Sequence, residues 1–223
     1  MVQENQESLR TPDRSTWSND ADNIERFLQE DGHPIWGFVI YRCTYADDSE
    51  WGEFMKRLKH ETEGVFKDEQ CNGMDIYDRL RWTVFDEKSS FDGVDDSVVR
   101  QHFTNWMKSA PQEEQNTTRG LSQRYRFCVQ VDQDALDSVV ENDSDSNLKD
   151  GWVKLVWADY TDHLRELEIK YPVKPRLIPP DPLEIHPWMM VTYQYLLPGM
   201  YILLRDWSDW DREYRAPPQV ASI

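Results

Sequence analysis

No cysteine pair, no glycine-rich phosphate loop and no long apolar run occurs in this sequence. Each absence narrows what the chain does. Its three cysteines, Cys43, Cys71 and Cys128, are odd in number and widely spaced, and no CxxC is present. A reducing compartment with free thiols is therefore expected, not a disulfide framework. No stretch approaches the roughly 18 apolar residues that a membrane span requires. The stretch from Met1 to Asp22 lacks the basic start and apolar middle of a secretory leader. The expected location is cytoplasmic, and the glycosylation acceptors at Asn116-Thr117-Thr118 and Asn142-Asp143-Ser144 are discounted on that ground.

The chemistry-bearing motifs are thin as well. There is no dinucleotide fingerprint, no GxSxG elbow and no His-Glu-x-x-His. His33, His60, His102, His163 and His186 share no ligand spacing, so neither a metal nor a cofactor is expected. Positive charge is scarce: 25 Lys and Arg stand against 42 Asp and Glu, a formal net charge of −17. Such a chain repels a phosphate backbone, which argues against duplex DNA and favours a cationic partner or substrate. The same acidity also serves solubility alone.

What the sequence does have is a core builder's composition. Aromatics make up 13% of the 223 residues and include ten Trp. A chain of this length buries a large core without a metal or disulfide staple. Residues 1–31 read as a polar arm, within which Asp22 to Glu30 spaces Ile24, Phe27 and Leu28 on one helical face. Residues 32–223 read as one α+β domain. Trp36 to Tyr45 is a strand apolar on both faces, the mark of a central position. Asp47 to Phe66 carries Trp51, Phe54, Met55, Leu58, Thr62 and Val65 at helical spacing. Strands follow at Leu80 to Asp86, Arg124 to Val131 and Trp152 to Tyr160. Helices start at Asp95 or Asp96 and at Asp132 or Asp134, and Pro111 to Ser122 reads as a loop. Tyr171 to Pro187 holds six of the twelve prolines and predicts an extended wrap, with an apolar, helical C-terminal extension after it. The order suits a four-stranded, ferredoxin-like sheet with helices on one face.

The strongest candidate constellation is Asp47-Asp48-Ser49-Glu50, with Glu53 one turn on. It follows the first strand directly, and strand-to-helix junctions hold ligand sites because the helix start is polar and rigidly placed. Carboxylates there suit a guanidinium or ammonium group, or acid–base work. They also suit plain helix capping. Tyr41 and Tyr45 place hydroxyls near the same junction or serve the core. Arg79, Arg81, Arg124 and Arg126 would share a sheet face if their strands were adjacent, as an anion or RNA-phosphate patch or as partners for internal acids. His102 lies on an apolar helix face. Trp207 and Trp210 form either a docked tail or a partner-binding patch.

Trp36 to Tyr45 followed by Asp47-Asp48-x-x-Trp51, with Leu80 to Val84 and the RYRFCVQVD run, resembles a large set of uncharacterised fungal intracellular proteins over residues 34–160. That set implies no activity by itself. The acids also resemble the DDxxE motif of the fungal arginine-containing cyclodipeptide synthases, which join two amino acids, one of them arginine, from charged tRNA. Asp47 and Asp48 match its first two positions; the fifth is Trp51, and the nearest acids are Glu50 and Glu53. The resemblance implies carboxylates that hold an arginine side chain and arginines that meet an aminoacyl-tRNA. The expectation is a small cofactor-free enzyme of fungal specialised metabolism, with Asp47, Asp48 and Glu50 in binding or acid–base roles and an arginine-like substrate. A homodimer is compatible with it. The alternative is a non-catalytic acidic module that binds a basic protein.

Overall fold

The computed structural model describes residues 10–141, 151–160 and 186–222. The proline-rich wrap up to residue 185 and the acidic run after Glu141 lie outside the described residues. What is described is one mixed α/β unit built on a six-stranded sheet in the order β2-β1-β3-β4-β5-β6. The strands are β1 (Val39–Arg42), β2 (Thr83–Phe85), β3 (Phe127–Val131), β4 (Trp152–Trp157), β5 (Trp188–Thr192) and β6 (Val220–Ala221). β1 pairs in parallel with both β2 and β3, while β4 runs antiparallel to β3 and to β5. β6 closes the edge in parallel with β5.

Parallel neighbours need crossovers, because a tight turn cannot join strands that point the same way. The first crossover carries α2 (Asp48–Lys67) and the single turn α3 (Met74–Tyr77); α1 (Asp20–Asp31) precedes β1. The second carries α4 (Lys88–Phe91), α5 (Asp96–Trp106) and α6 (Ala110–Gln115). α7 (Gln133–Val140) links β3 to β4, and α8 (Trp207–Glu213) lies near the C-terminus.

The two crossovers use opposite faces. Trp36, Phe38 and Ile40 pack with Trp51, Phe54, Leu58 and Phe66 of α2 and with Ala135, Leu136 and Val139 of α7. Val39, Tyr41 and Cys43 pack with Phe91, Val99 and Phe103 of α4 and α5. The expectation of four strands with helices on one face is therefore corrected on both counts. A strand apolar on both sides demands cover on both sides, and β5 and β6 extend the sheet beyond β4. Leu80 contributes only an isolated bridge to Trp36, so β2 is shorter than the alternation suggests. Pro111 stands in the first turn of α6, where its fixed φ favours a helix start over the expected loop.

α1 is part of the core: Ala21, Ile24 and Leu28 join the larger cluster. Asn19 caps it by accepting from Asp22 N at 3.0 Å, and Gly32 ends it in the left-handed region. The three cysteines are free and buried. Among the described residues, no helix is long and apolar enough to cross a membrane.

Gly37 leads into β1 at φ +107°, and a Cβ there would fall 2.3 Å from Leu80 Cδ1. Strain and collision act together, so Gly37→Ala is expected to lower unfolding stability by about 2 kcal/mol or more, read as the urea midpoint.

The crevice at the carboxyl end of the sheet

The chain leaves β1 over one face and returns to β3 over the other, so a topological switch lies between these two strands. Loops diverge at such a point and leave a crevice beyond the carboxyl ends of the strands. A hollow of about 580 Å³ opens there. Cys43, Thr44, Tyr45 and Ala46 after β1, Asp92 to Asp95 before α5, Asp132 to Asp134 after β3, Lys88 and Lys154 line it.

Of the helices that start around this end of the sheet, α2, α5 and α7 each have their start closed by an aspartate, while the single turn α4 has no side-chain cap. Asp47 Oδ1 accepts from Ser49 N at 2.7 Å and Glu50 N at 3.4 Å. Asp95 Oδ1 accepts from Ser97 N at 2.9 Å and Val98 N at 3.2 Å. Asp132 Oδ1 accepts from Ala135 N at 3.1 Å. The hydroxyl of Ser49 holds the Asp47 carboxyl below its ordinary range, and that of Ser97 does the same for Asp95, with amide bonds adding to both. Asp132 also pairs with Lys154, whose Nζ lies 5.0 Å from the Trp188 ring centroid. Lys88 stands 3.9 Å from Asp92. Asp134 is exposed on the rim.

The remaining lining is neutral. Burial, then the Asp132 charge, pushes the Cys43 thiol up to about 12, so it stays protonated at neutral pH. Burial, then the Asp86 carboxylate, raises the Tyr45 phenol. Thr44 Oγ1 bonds Gln133 Oε1 across the switch, and Gln133 Nε2 donates to Asp137 at 2.6 Å. Among the described residues no three His, Cys, Asp or Glu side chains group as metal ligands. The acids ring an opening instead of converging on one ion.

Of the residues expected from the sequence, Tyr45 alone lines the crevice. Asp47 and Asp48 are exposed just beyond Ala46. Asp47 is occupied as a cap, and Asp48 pairs with Arg42. Glu50 is half-buried, and Glu53 bonds Lys56 at 3.1 Å and Arg57 at 3.0 Å along its own helix. These acids fan around a helix start, so they do not form a shared hollow by themselves. Tyr41 faces the α5 side of the sheet, fully buried, with its hydroxyl 2.8 Å from His102 Nδ1.

The four arginines are also corrected. β1 lies between β2 and β3, so they do not sit on adjacent strands, and they precede β2 and β3 or stand at their starts, at the end opposite the crevice. Arg79 pairs with buried Glu25 and donates to the carbonyls of Pro34 at 2.9 Å and His33 at 3.1 Å. Arg124, 0% exposed, grips Glu114 at 2.9 and 2.7 Å. It also donates to Gly37 O at 3.0 Å. Arg126 is buried against the carbonyls of Leu204 and Arg205, and burial lowers its pKa to about 10. Arg81 alone is exposed. No phosphate-binding patch results from the set.

Asp92, Asp95, Asp132, Asp134, Lys154 and Arg42 were missed as site residues. The signal is partial: Asp132 directly follows an apolar strand and opens a helix, while Asp95 opens a helix after a polar connection from β2, and parallel strands bring both junctions to one end.

Comparison with protein-family models, with curated proteins and with solved structures finds no match to this chain.

Two outcomes follow from the charges. Arg124→Ala leaves Glu114 in a poorly solvated site, and is expected to cost about 3–5 kcal/mol in denaturant unfolding. Asp47 and Asp95 have folded pKa values below the ordinary 3.8. Their stabilisation is present above that pH and is lost as pH falls through the folded values. Asp20, raised by burial, acts in the opposite sense. In the double variant Asp47→Asn, Asp95→Asn, the decline of the urea midpoint between about pH 4 and pH 2 should become shallower than in the wild type.

Proposed function

We propose that the crevice at the β1–β3 switch binds a cationic, arginine-like small molecule, and that the chain is a cofactor-free enzyme acting on it. One observation carries this reading. The amides at the starts of α2, α5 and α7 are already bonded to Asp47, Asp95 and Asp132, Asp92 and Asp134 add two more carboxylates to the lining, and its two lysines, Lys88 and Lys154, are paired with Asp92 and Asp132. A hollow of about 580 Å³ is large enough for an amino-acid-sized ligand.

The most specific form is an arginine-containing cyclodipeptide synthase. In that chemistry the amine of one aminoacyl group attacks the ester carbon of another, and the tRNA ribose hydroxyl leaves. Repetition closes the ring. The crevice acids would hold the guanidinium, and Asp48 at the rim would accept the amine proton. The tRNA body would stay outside, without help from Arg124 or Arg126. The reading as an acidic interaction module has less support, because Trp210 is 1% exposed and stacks on Phe127 with ring centroids 5.7 Å apart.

Calorimetric titration with agmatine tests the binding step. Wild-type protein should bind it, and Asp92→Asn with Asp134→Asn, which leaves the caps intact, should weaken binding by roughly tenfold or more. Inorganic phosphate should not bind. Expression in a host that makes no diketopiperazines tests the chemistry: a new arginine-containing diketopiperazine should appear and be lost in Asp48→Ala. Absence of agmatine binding overturns the cationic site. Binding without the new metabolite overturns the synthase form.

A further inference from the structure

We infer that Arg42 is the positioning residue of the crevice, holding its Tyr45 wall and the Asp48 carboxylate just beyond that wall in register; the inference rests on the cation-binding reading above. Arg42 ends β1 and is 5% exposed. Its guanidinium forms a three-way fork. Nε donates to Thr44 O at 2.9 Å, Nη2 donates to Asp48 Oδ1, and Nη1 approaches Asp86 Oδ2 at 3.4 Å. One face covers the Tyr45 ring at 4.4 Å, and the Trp51 ring centroid is 5.2 Å away.

These contacts connect the ends of β1 and β2 with the start of α2 beside the crevice. Thr44 and Tyr45 line the hollow, Asp48 opens α2, and Asp86 follows β2. Thr44 then carries the connection to Gln133 at the start of α7. Arg42 itself is not among the lining residues, so it acts through its neighbours.

A purely stabilising role does not account for the arrangement. The Asp48 side chain is 88% exposed, and an ion pair with so exposed a partner adds little to stability. What the pair does is fix a carboxylate at the start of α2, two residues beyond Ala46 of the lining. The stacking on Tyr45 likewise sets the angle of a wall. Both need a planar, multi-donor cation. A lysine supplies charge at one point and neither the fork nor the flat face.

Arg42→Lys and Arg42→Ala, each titrated with agmatine, test this. The lysine variant should melt within a few degrees of wild type and bind agmatine roughly tenfold more weakly. The alanine variant should lose binding and regain it in millimolar methylguanidinium, scored against wild type in the same buffer, while methylammonium has no such effect. Should the lysine variant fail to fold, the rescue experiment decides. Wild-type affinity in a folded lysine variant, or an alanine variant that methylguanidinium does not rescue, overturns the positioning role alone. Wild-type protein that ignores agmatine overturns the cation reading and this role with it.

Discussion

β1 must be covered on both faces and bonded on both edges, and the rest of the architecture follows from that demand. Phe38 and Ile40 enter one cluster, Val39 and Tyr41 the other. The strand pairs in parallel with β2 on one side and β3 on the other. Parallel pairing on both edges forces two crossovers, and two apolar faces send those crossovers to opposite sides. The loops at the carboxyl ends of β1 and β3 must then part company. The crevice is what remains between them, so it is a consequence of the core and not an addition to it.

Charge is sorted along the same axis. Near the amino ends of β2 and β3, arginines are taken into the interior: Arg124 by Glu114, Arg79 by Glu25, and Arg126 by main-chain carbonyls. Each such group is retained with carboxylate or carbonyl partners around it; the same burial without partners would cost several kcal/mol. At the carboxyl ends the pattern inverts. Acids stand at the helix starts, and the lysines present are paired to them. A chain of net charge −17 thus keeps several of its guanidinium groups inside and shows carboxylates at this sheet-end hollow. Arg42 is the exception that joins the two patterns, a buried guanidinium set among the acids of the crevice mouth.

Much of this was legible from local pattern. Alternation and helical spacing located β1, α2, β3, α5 and α7, and the caps at Asp47 and Asp132 fell at residues the sequence singles out. The sheet was misjudged because strand order is a long-range property: nothing in Leu80 to Asp86 says whether it lies beside Arg124 to Val131 or across β1 from it. That single ambiguity produced the arginine patch, which dissolves once β1 separates the two strands. It also hid the site. Asp95 and Asp132 were readable as caps, but their meeting at one hollow requires knowing that both follow parallel strands. β5 was half-readable, since Trp188 to Leu204 is apolar throughout and apolarity alone does not separate a strand from a helix.

The caps also bear on the proposed preference of the hollow for a cation. An open helix start presents unbonded amides and the positive end of a dipole, which together attract phosphate. Here Asp47, Asp95 and Asp132 fill those amides from within the chain. A phosphate entering the hollow would find few donors left and would meet carboxylates on several sides. At an effective dielectric near 20, two like charges about 6 Å apart repel by roughly 3 kcal/mol. Salt weakens this at the open rim, where the screening length is about 8 Å at physiological ionic strength, and weakens it less toward the floor by Cys43. For a guanidinium the same terms change sign, and the caps lose nothing, because a carboxylate that accepts from an amide with one oxygen still offers the other. The arrangement that stabilises the helices is therefore also the one on which the proposed cation site rests.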